Sequence, residues 1–228
     1  MNRTPLRAAV AGWSAKHAAR YAEPHPAPSA PSLEALLATT AEAFDHDLLR
    51  ADPLFGRLPH EAATRAIAVA RADGLRHAAA CGSPADARTI ARQLGLTVTE
   101  ALDGNRFGSV FQFAEYRSRP PTITIYRAAM DLLRDTIRRH ALAPVLGMAD
   151  PEPLYVAHEL YHHLDAAQPA PVARSTLVTT VAIGPLRLRS GLVSLPEIAA
   201  AAFAAAMTGC RCHPRVLDGL ARHALSEA

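Results

Sequence analysis

The pentapeptide His158-Glu159-Leu160-Tyr161-His162 constrains this chain more than any other stretch. Its two histidines are four residues apart, so on an α-helix they project from one face, with Cβ atoms about 5–6 Å apart. Imidazoles at that spacing can both reach one Zn²⁺ at about 2.0–2.1 Å. Glu159 follows the first histidine and can lean toward a water on that ion. The metal lowers the pKa of such a water, and a carboxylate beside it can take the proton. Random placement of this chain's His and Glu would yield the pattern about 2% of the time, so context has to decide. The flanks do supply the helix that the spacing needs. Asp150-Pro151-Glu152-Pro153 offers an Asp N-cap, Pro at N1 and acid in the first turn. Leu154, Ala157, Tyr161 and Leu164 then share a helical face, or its margins, with the two histidines.

A catalytic zinc takes three protein ligands and leaves a fourth position to water. Candidates for the third are Glu197, Asp165, His163 and His213. His163 adjoins His162 and points about 100° away around the helix. Asp165, three residues past His162, is placed to orient a ligand from behind. A metzincin site would need Gly and His three and six residues beyond His162, where this chain has Asp165 and Gln168, so that class is excluded. Cys210-Arg211-Cys212-His213 is too compact for an ordinary zinc knuckle and reads as structural thiols. Glu197 stands at the start of a helix of small residues, which can pack closely against the histidine helix. The competing reading is a capping box, because Ser194 and Glu197 have the spacing for one.

The rest of the chain reads as α+β, a helix-rich fold with a small twisted sheet. Met1 to Tyr21 suits a short basic helix, and Ala22 to Ser32 is a Pro/Ala/Ser linker, so residues 1–32 form a flexible N-terminal segment. Residues 33–82 form an N-terminal helical segment, with helices expected from Leu33 to Arg50 and from His60 to Ala80. Residues 83–228 form the domain that carries the motif. A third helix is expected from Pro84 to Leu94. A DNA-reading helix-turn-helix there would have only Arg88 and Arg92 to serve it. Leu96 to Glu100, Ser109 to Tyr116 and Thr122 to Tyr126 alternate as strands, with a turn at Asp103-Gly104-Asn105. An amphipathic helix from Arg127 to Leu142 follows. After the motif come extended segments at Ser175 to Ile183 and Pro185 to Val193, a helix from Ser194 to Met207 and a final helix in the tail.

Several function classes drop out. With 228 residues, half of them hydrophobic, a sizeable core is available. A net charge of +3 is too small to argue for nucleic acid, and Arg117, Arg119, Arg187 and Arg189 read as a solvated rim. No run approaches the roughly eighteen apolar residues of a membrane span. Arg3 and Arg7 precede an apolar stretch, Ala8 to Trp13, too short for a secretory signal. Three cysteines without framework spacing suit a reducing, cytoplasmic compartment.

Glu197-Ile198-Ala199-Ala200-Ala201-Ala202-Phe203-Ala204 resembles the Glu-x-x-Ala-x-x-Phe-Ala helix of the ImmA/IrrE-type zinc metallopeptidases. In that family a short strand and a helix precede Ala-His-Glu-Leu-x-His, as Thr122 to Tyr126 and Arg127 to Leu142 do here. The resemblance runs over about residues 85–208. It departs at Ala201, where the family often has Asn, and at Ala206 to Gly209, where it often has Leu-Leu-x-Pro. It implies a zincin-like, gluzincin-type metallopeptidase domain, one Zn²⁺ held by His158, His162 and Glu197, and Glu159 as general base. The expected partner is a protein or peptide substrate, by resemblance a specific regulatory protein, aligned along the strand at Ser109 to Tyr116. Tyr155, Tyr161 and His163 are the candidates to hold an oxyanion. A second reading keeps the zinc and drops the chemistry, giving a non-catalytic regulatory or protein-binding module.

Overall fold

The computed structural model describes residues 32–102 and 112–226. The expected basic helix at Met1 to Tyr21, the linker up to residue 31, the turn at Asp103-Gly104-Asn105 and the first three residues of the strand expected from Ser109 lie outside them. The single helix expected from Leu33 to Arg50 is two, α1 (Leu33–Ala38) and α2 (Ala41–Arg50). Thr39 adopts extended backbone, and the Thr40 hydroxyl accepts from the Ala43 N–H, so one helix stops and the next is capped within two residues. A 3₁₀ turn (Phe55–Arg57) leads to α3 (His60–Ala80). Helix α4 (Ala87–Gln93) starts later than Pro84 because Asp86 is its cap, accepting from Arg88 N and Thr89 Oγ1.

Strands β1 (Thr97–Ala101), β2 (Ala114–Ser118) and β3 (Pro121–Tyr126) form a mixed sheet in the order β1-β3-β2. β1 runs parallel to β3 from Thr97↔Thr122 to Ala101↔Tyr126. β2 pairs antiparallel with β3 from Ala114↔Ile125 to Ser118↔Pro121, leaving β2 as an edge. The alternation of Thr122-Ile123-Thr124-Ile125 turns both isoleucines into the core. Helix α5 (Arg127–Arg139) and the short α6 (Ala143–Leu146) precede α7 (Glu152–Ala166), which bears the motif. The cap position of α7 falls on Pro151, one residue later than the Asp150 cap expected, and Asp150 Oδ1 still accepts from the Glu152 N–H at the helix start. A 3₁₀ turn (Val172–Arg174), a hairpin of β4 (Leu177–Ile183) and β5 (Leu186–Gly191), and helices α8 (Ser194–Thr208) and α9 (Arg215–Ser226) complete the chain. No helix among the described residues is long and apolar enough to cross a membrane.

Helix α8 lies at the centre, packed chiefly on α3 and α7, while α7 also covers β2 and β3. Its small residues permit the close approach. Ile198, Ala199, Ala200, Phe203 and Ala204 are fully buried. A Cβ on Gly74 of α3 would fall 2.1 Å from the Ala199 carbonyl oxygen, so a glycine is required at that crossing. The start of α8 differs from the capping box that Ser194 and Glu197 suggested. The Ser194 N–H donates to Asp52 Oδ2 at 2.9 Å, and Ser194 Oγ is buried without a hydrogen bond. Asp52, itself buried, also accepts from Leu54 N at 2.9 Å. A carboxylate from a distant loop therefore caps α8, favoured by the positive end of the helix dipole. Glu197 is left free to face α7.

Candidate metal centre

Helix α7 buries Leu154, Tyr155, Val156, Ala157, Leu160, Tyr161 and Asp165, and leaves His158, Glu159 and His162 partly exposed. His158 and His162, one turn apart, set their rings 5.0 Å apart between centroids. Their Nε2 atoms are 3.3 Å apart. Glu197, one turn into α8, brings Oε2 to 3.2 Å from His158 Nε2 and Oε1 to 3.5 Å from His162 Nε2. One ligand atom from each of the three lies within 4.8 Å of the others, and no other such cluster of three or more occurs among the described residues.

These separations can be compared with what a metal would ask for. Four ligands at about 2.0–2.1 Å around a tetrahedral ion have neighbouring atoms about 3.3–3.4 Å apart. The three nitrogen and oxygen separations bracket that edge length. The donor set, two imidazoles and one carboxylate, also suits a zinc that keeps one open position. The Glu197 side chain retains 47% of its accessible surface, on the side of the cavity.

Charge is distributed to match. Burial alone would lower His158, but the hydrogen bond and charge of Glu197 outweigh it and hold the imidazole up at about 9. Burial would raise Glu197, and the same partner brings it down to about 2. Burial and the neighbouring His158 cation lower His162 to about 4. The shifts favour a charged pair of His158 and Glu197 beside a neutral His162. Burial raises Glu159, with the Glu197 charge adding to it and His158 opposing.

A cavity of about 280 Å³ opens over the cluster, lined by His158, Glu159 and Glu197, by Gln112 to Ala114 leading into β2, and by His213, Arg215 and Asp218 at the start of α9. Of the other candidates, Tyr155 lines this cavity, stacks on Phe113 and donates to Asp218 Oδ1 at 3.4 Å. Tyr161 is fully buried and donates to Asp73 Oδ2 at 2.6 Å. Asp165 accepts from Val172 N at 2.8 Å and from Gln168 Nε2 at 3.2 Å, which ties down the loop after α7. His163 meets the Tyr116 hydroxyl of β2 through Nδ1 at 2.9 Å. His213 is engaged elsewhere: Nδ1 accepts from Arg215 N, which leaves Nε2 to donate to Asp45 Oδ1 at 3.2 Å. Arg215 and Asp218 carry no signal in the sequence: the apolar face of α9, with Val216, Leu217, Leu220 and Ala221 buried, shows which side packs inward but not what its polar residues meet.

No protein-family model matches this chain, and no curated protein or solved structure matches it either.

Proposed function

We propose that this protein is a zinc-dependent metallopeptidase of the ImmA/IrrE kind, with one Zn²⁺ held by His158, His162 and Glu197. The observation that carries the reading is the meeting of Glu197 with the two histidines at tetrahedral spacing, across two helices whose ligand residues are 35 and 39 positions apart. A bound zinc supplies a water of lowered pKa and polarises the scissile carbonyl. Glu159 accepts the proton of the attacking water and passes it to the leaving nitrogen. Burial raises its pKa, the direction that makes a carboxylate a better proton acceptor. The substrate lies extended along residues 112–114 and the free edge of β2, where backbone groups can pair with it. Tyr155 and Arg215, both in the cavity wall, are the groups within the site that can face a developing oxyanion. The family resemblance adds a regulatory protein as the substrate class.

The test separates metal from chemistry. Metal analysis of the wild type should find about one zinc per chain, and Glu197→Ala should lose most of it. Glu159→Gln should keep the zinc and lose at least about 100-fold in peptide cleavage. Undiminished cleavage by Glu159→Gln would favour a structural zinc in a binding module. Absence of zinc from the wild type, after reconstitution with zinc sulfate, would end the proposal.

A further inference from the structure

A second group of chemistry-bearing side chains lies outside the metal cavity. Cys210 and Cys212, in the loop between α8 and α9, hold their sulfurs 3.4 Å apart, and Cys210 Sγ–H donates to the Cys212 carbonyl at 3.2 Å. The residue between them is clamped. Arg211 N donates to Leu146 O at 3.0 Å, and its side chain lies over Gly147, with the guanidinium on the Pro144 carbonyl at 3.4 Å. Cys210, Arg211 and Cys212 line a cavity of about 420 Å³ together with Thr40, Asp45, Arg71 and Val145 of α6. Both cysteines are partly exposed and free. The loop is fixed at its other end as well, because His213 is buried on Asp45.

We propose that Cys210 and Cys212 form an oxidisable dithiol, reached by small hydroperoxides through this cavity and closing to an intramolecular disulfide. The proposal is independent of the metal reading. The chain clamped at residue 211 keeps the two thiols facing each other, so the local concentration of the resolving sulfur is high. At rest Cys210 turns its proton toward the Cys212 carbonyl; hydrogen bonding from Cys212 lowers Cys210 against the opposing effect of burial, so Cys210 is the first of the two to ionise, while Cys212 is shifted the other way.

The reaction takes two steps. The Cys210 thiolate attacks the outer oxygen of the hydroperoxide. An S–O bond forms, the O–O bond breaks, and the leaving alkoxide or hydroxide takes a proton to become alcohol or water. The Cys212 sulfur then attacks the Cys210 sulfenic sulfur. An S–S bond forms, the S–O bond breaks, and the departing hydroxide leaves as water with the Cys212 proton. The two thiols lose two electrons and two protons, and the hydroperoxide gains them. Closure brings the sulfurs from 3.4 Å to about 2.05 Å. The bridge forms in the segment that delivers His213 and Arg215 to the wall of the metal cavity.

The experiment counts thiols in the full-length chain. Maleimide labelling under denaturing conditions, read by intact mass, should give three adducts before treatment, one after a few equivalents of hydrogen peroxide, and three again after reduction. Cys81→Ser should fall from two adducts to none, which assigns the loss to the loop pair. In Cys81→Ser/Cys212→Ser the reaction should stop at a sulfenic acid that dimedone traps on Cys210. An unchanged adduct count would overturn the proposal, as would a bridge mapped to Cys81, covalent dimers as the main product, or a metal ion found on both thiols in the native mass of the untreated chain. Cys81→Ser keeps the test decisive even where variants of the loop itself fold poorly.

Discussion

Tyr161 stands between His158 and His162 in sequence, but its work is structural. Its hydroxyl donates to Asp73 on α3, and its ring packs on Phe203 of α8 and edge-on to His77, so one side chain ties three helices together behind the histidines. Burial would raise Asp73, yet the hydrogen bond from Tyr161, with Arg76 beside it, holds the carboxylate below its ordinary pKa. A folded-state pKa that is depressed stabilises the protein above the ordinary carboxylate value, and that stability is lost as the pH falls through the lower folded value. Tyr161→Phe should therefore cost about 1.5–3 kcal/mol in urea unfolding at pH 7. The gap to wild type should narrow only below about pH 4. A gap that is constant down to pH 3 would show that the hydroxyl does not act through the Asp73 charge. Zinc content should survive the change, since the hydroxyl that is lost bonds to Asp73 and the ring that meets His162 is kept.

At the scale of elements, the site depends on how near α8 comes to its neighbours. Glu197 reaches the histidines because Ala199 and Ala200 let α8 settle against α3 and α7, and because Gly74 lets the α3 backbone meet the Ala199 carbonyl. Gly74→Ala tests this crossing. In an isolated helix alanine would be better by about 1 kcal/mol. Here its Cβ would lie 2.1 Å from Ala199 O and 3.1 Å from Phe203 N, both backbone atoms that cannot turn aside. Overpacking of this sort costs about 1–3 kcal/mol. The variant should unfold at lower urea than wild type and bind zinc more weakly, because Ala199 is two residues from Glu197. Equal or greater stability would refute the close crossing.

For the molecule as a whole, the proposed ion joins α7 to α8 from outside the core. A ligand that binds only the folded chain adds about 2.7 kcal/mol at a hundredfold excess over its Kd. For a body of this size that corresponds to a rise of about 5–10 °C in the thermal midpoint. Chelation should remove this increment from the wild type, and Glu197→Ala should show little of it to begin with. A midpoint that ignores both zinc and chelator would argue against a metal joining the two helices.

Much of the architecture was legible because it is local. The motif helix, α3, the β2–β3 hairpin and the β4–β5 hairpin follow from periodicity, prolines and glycines that act on near neighbours. Two differences are local: Thr39 and Thr40 divide the stretch from Leu33 to Arg50 into two helices, and Asp86 delays the start of α4. His158, Glu159 and His162 were readable since a helix fixes their relation by spacing alone. What the string of residues could not decide was the use of Glu197. Ser194 stood at capping-box distance, and only the arrival of Asp52 from 142 residues away takes over the N–H of Ser194 and leaves the carboxylate to the histidines. Arg215, Asp218 and the facing thiols of Cys210 and Cys212 likewise owe their positions to packing between distant segments. Local hydrogen-bonding and hydrophobic patterns determine which elements form, whereas the meeting of side chains from different elements depends on tertiary contacts that sequence spacing does not encode.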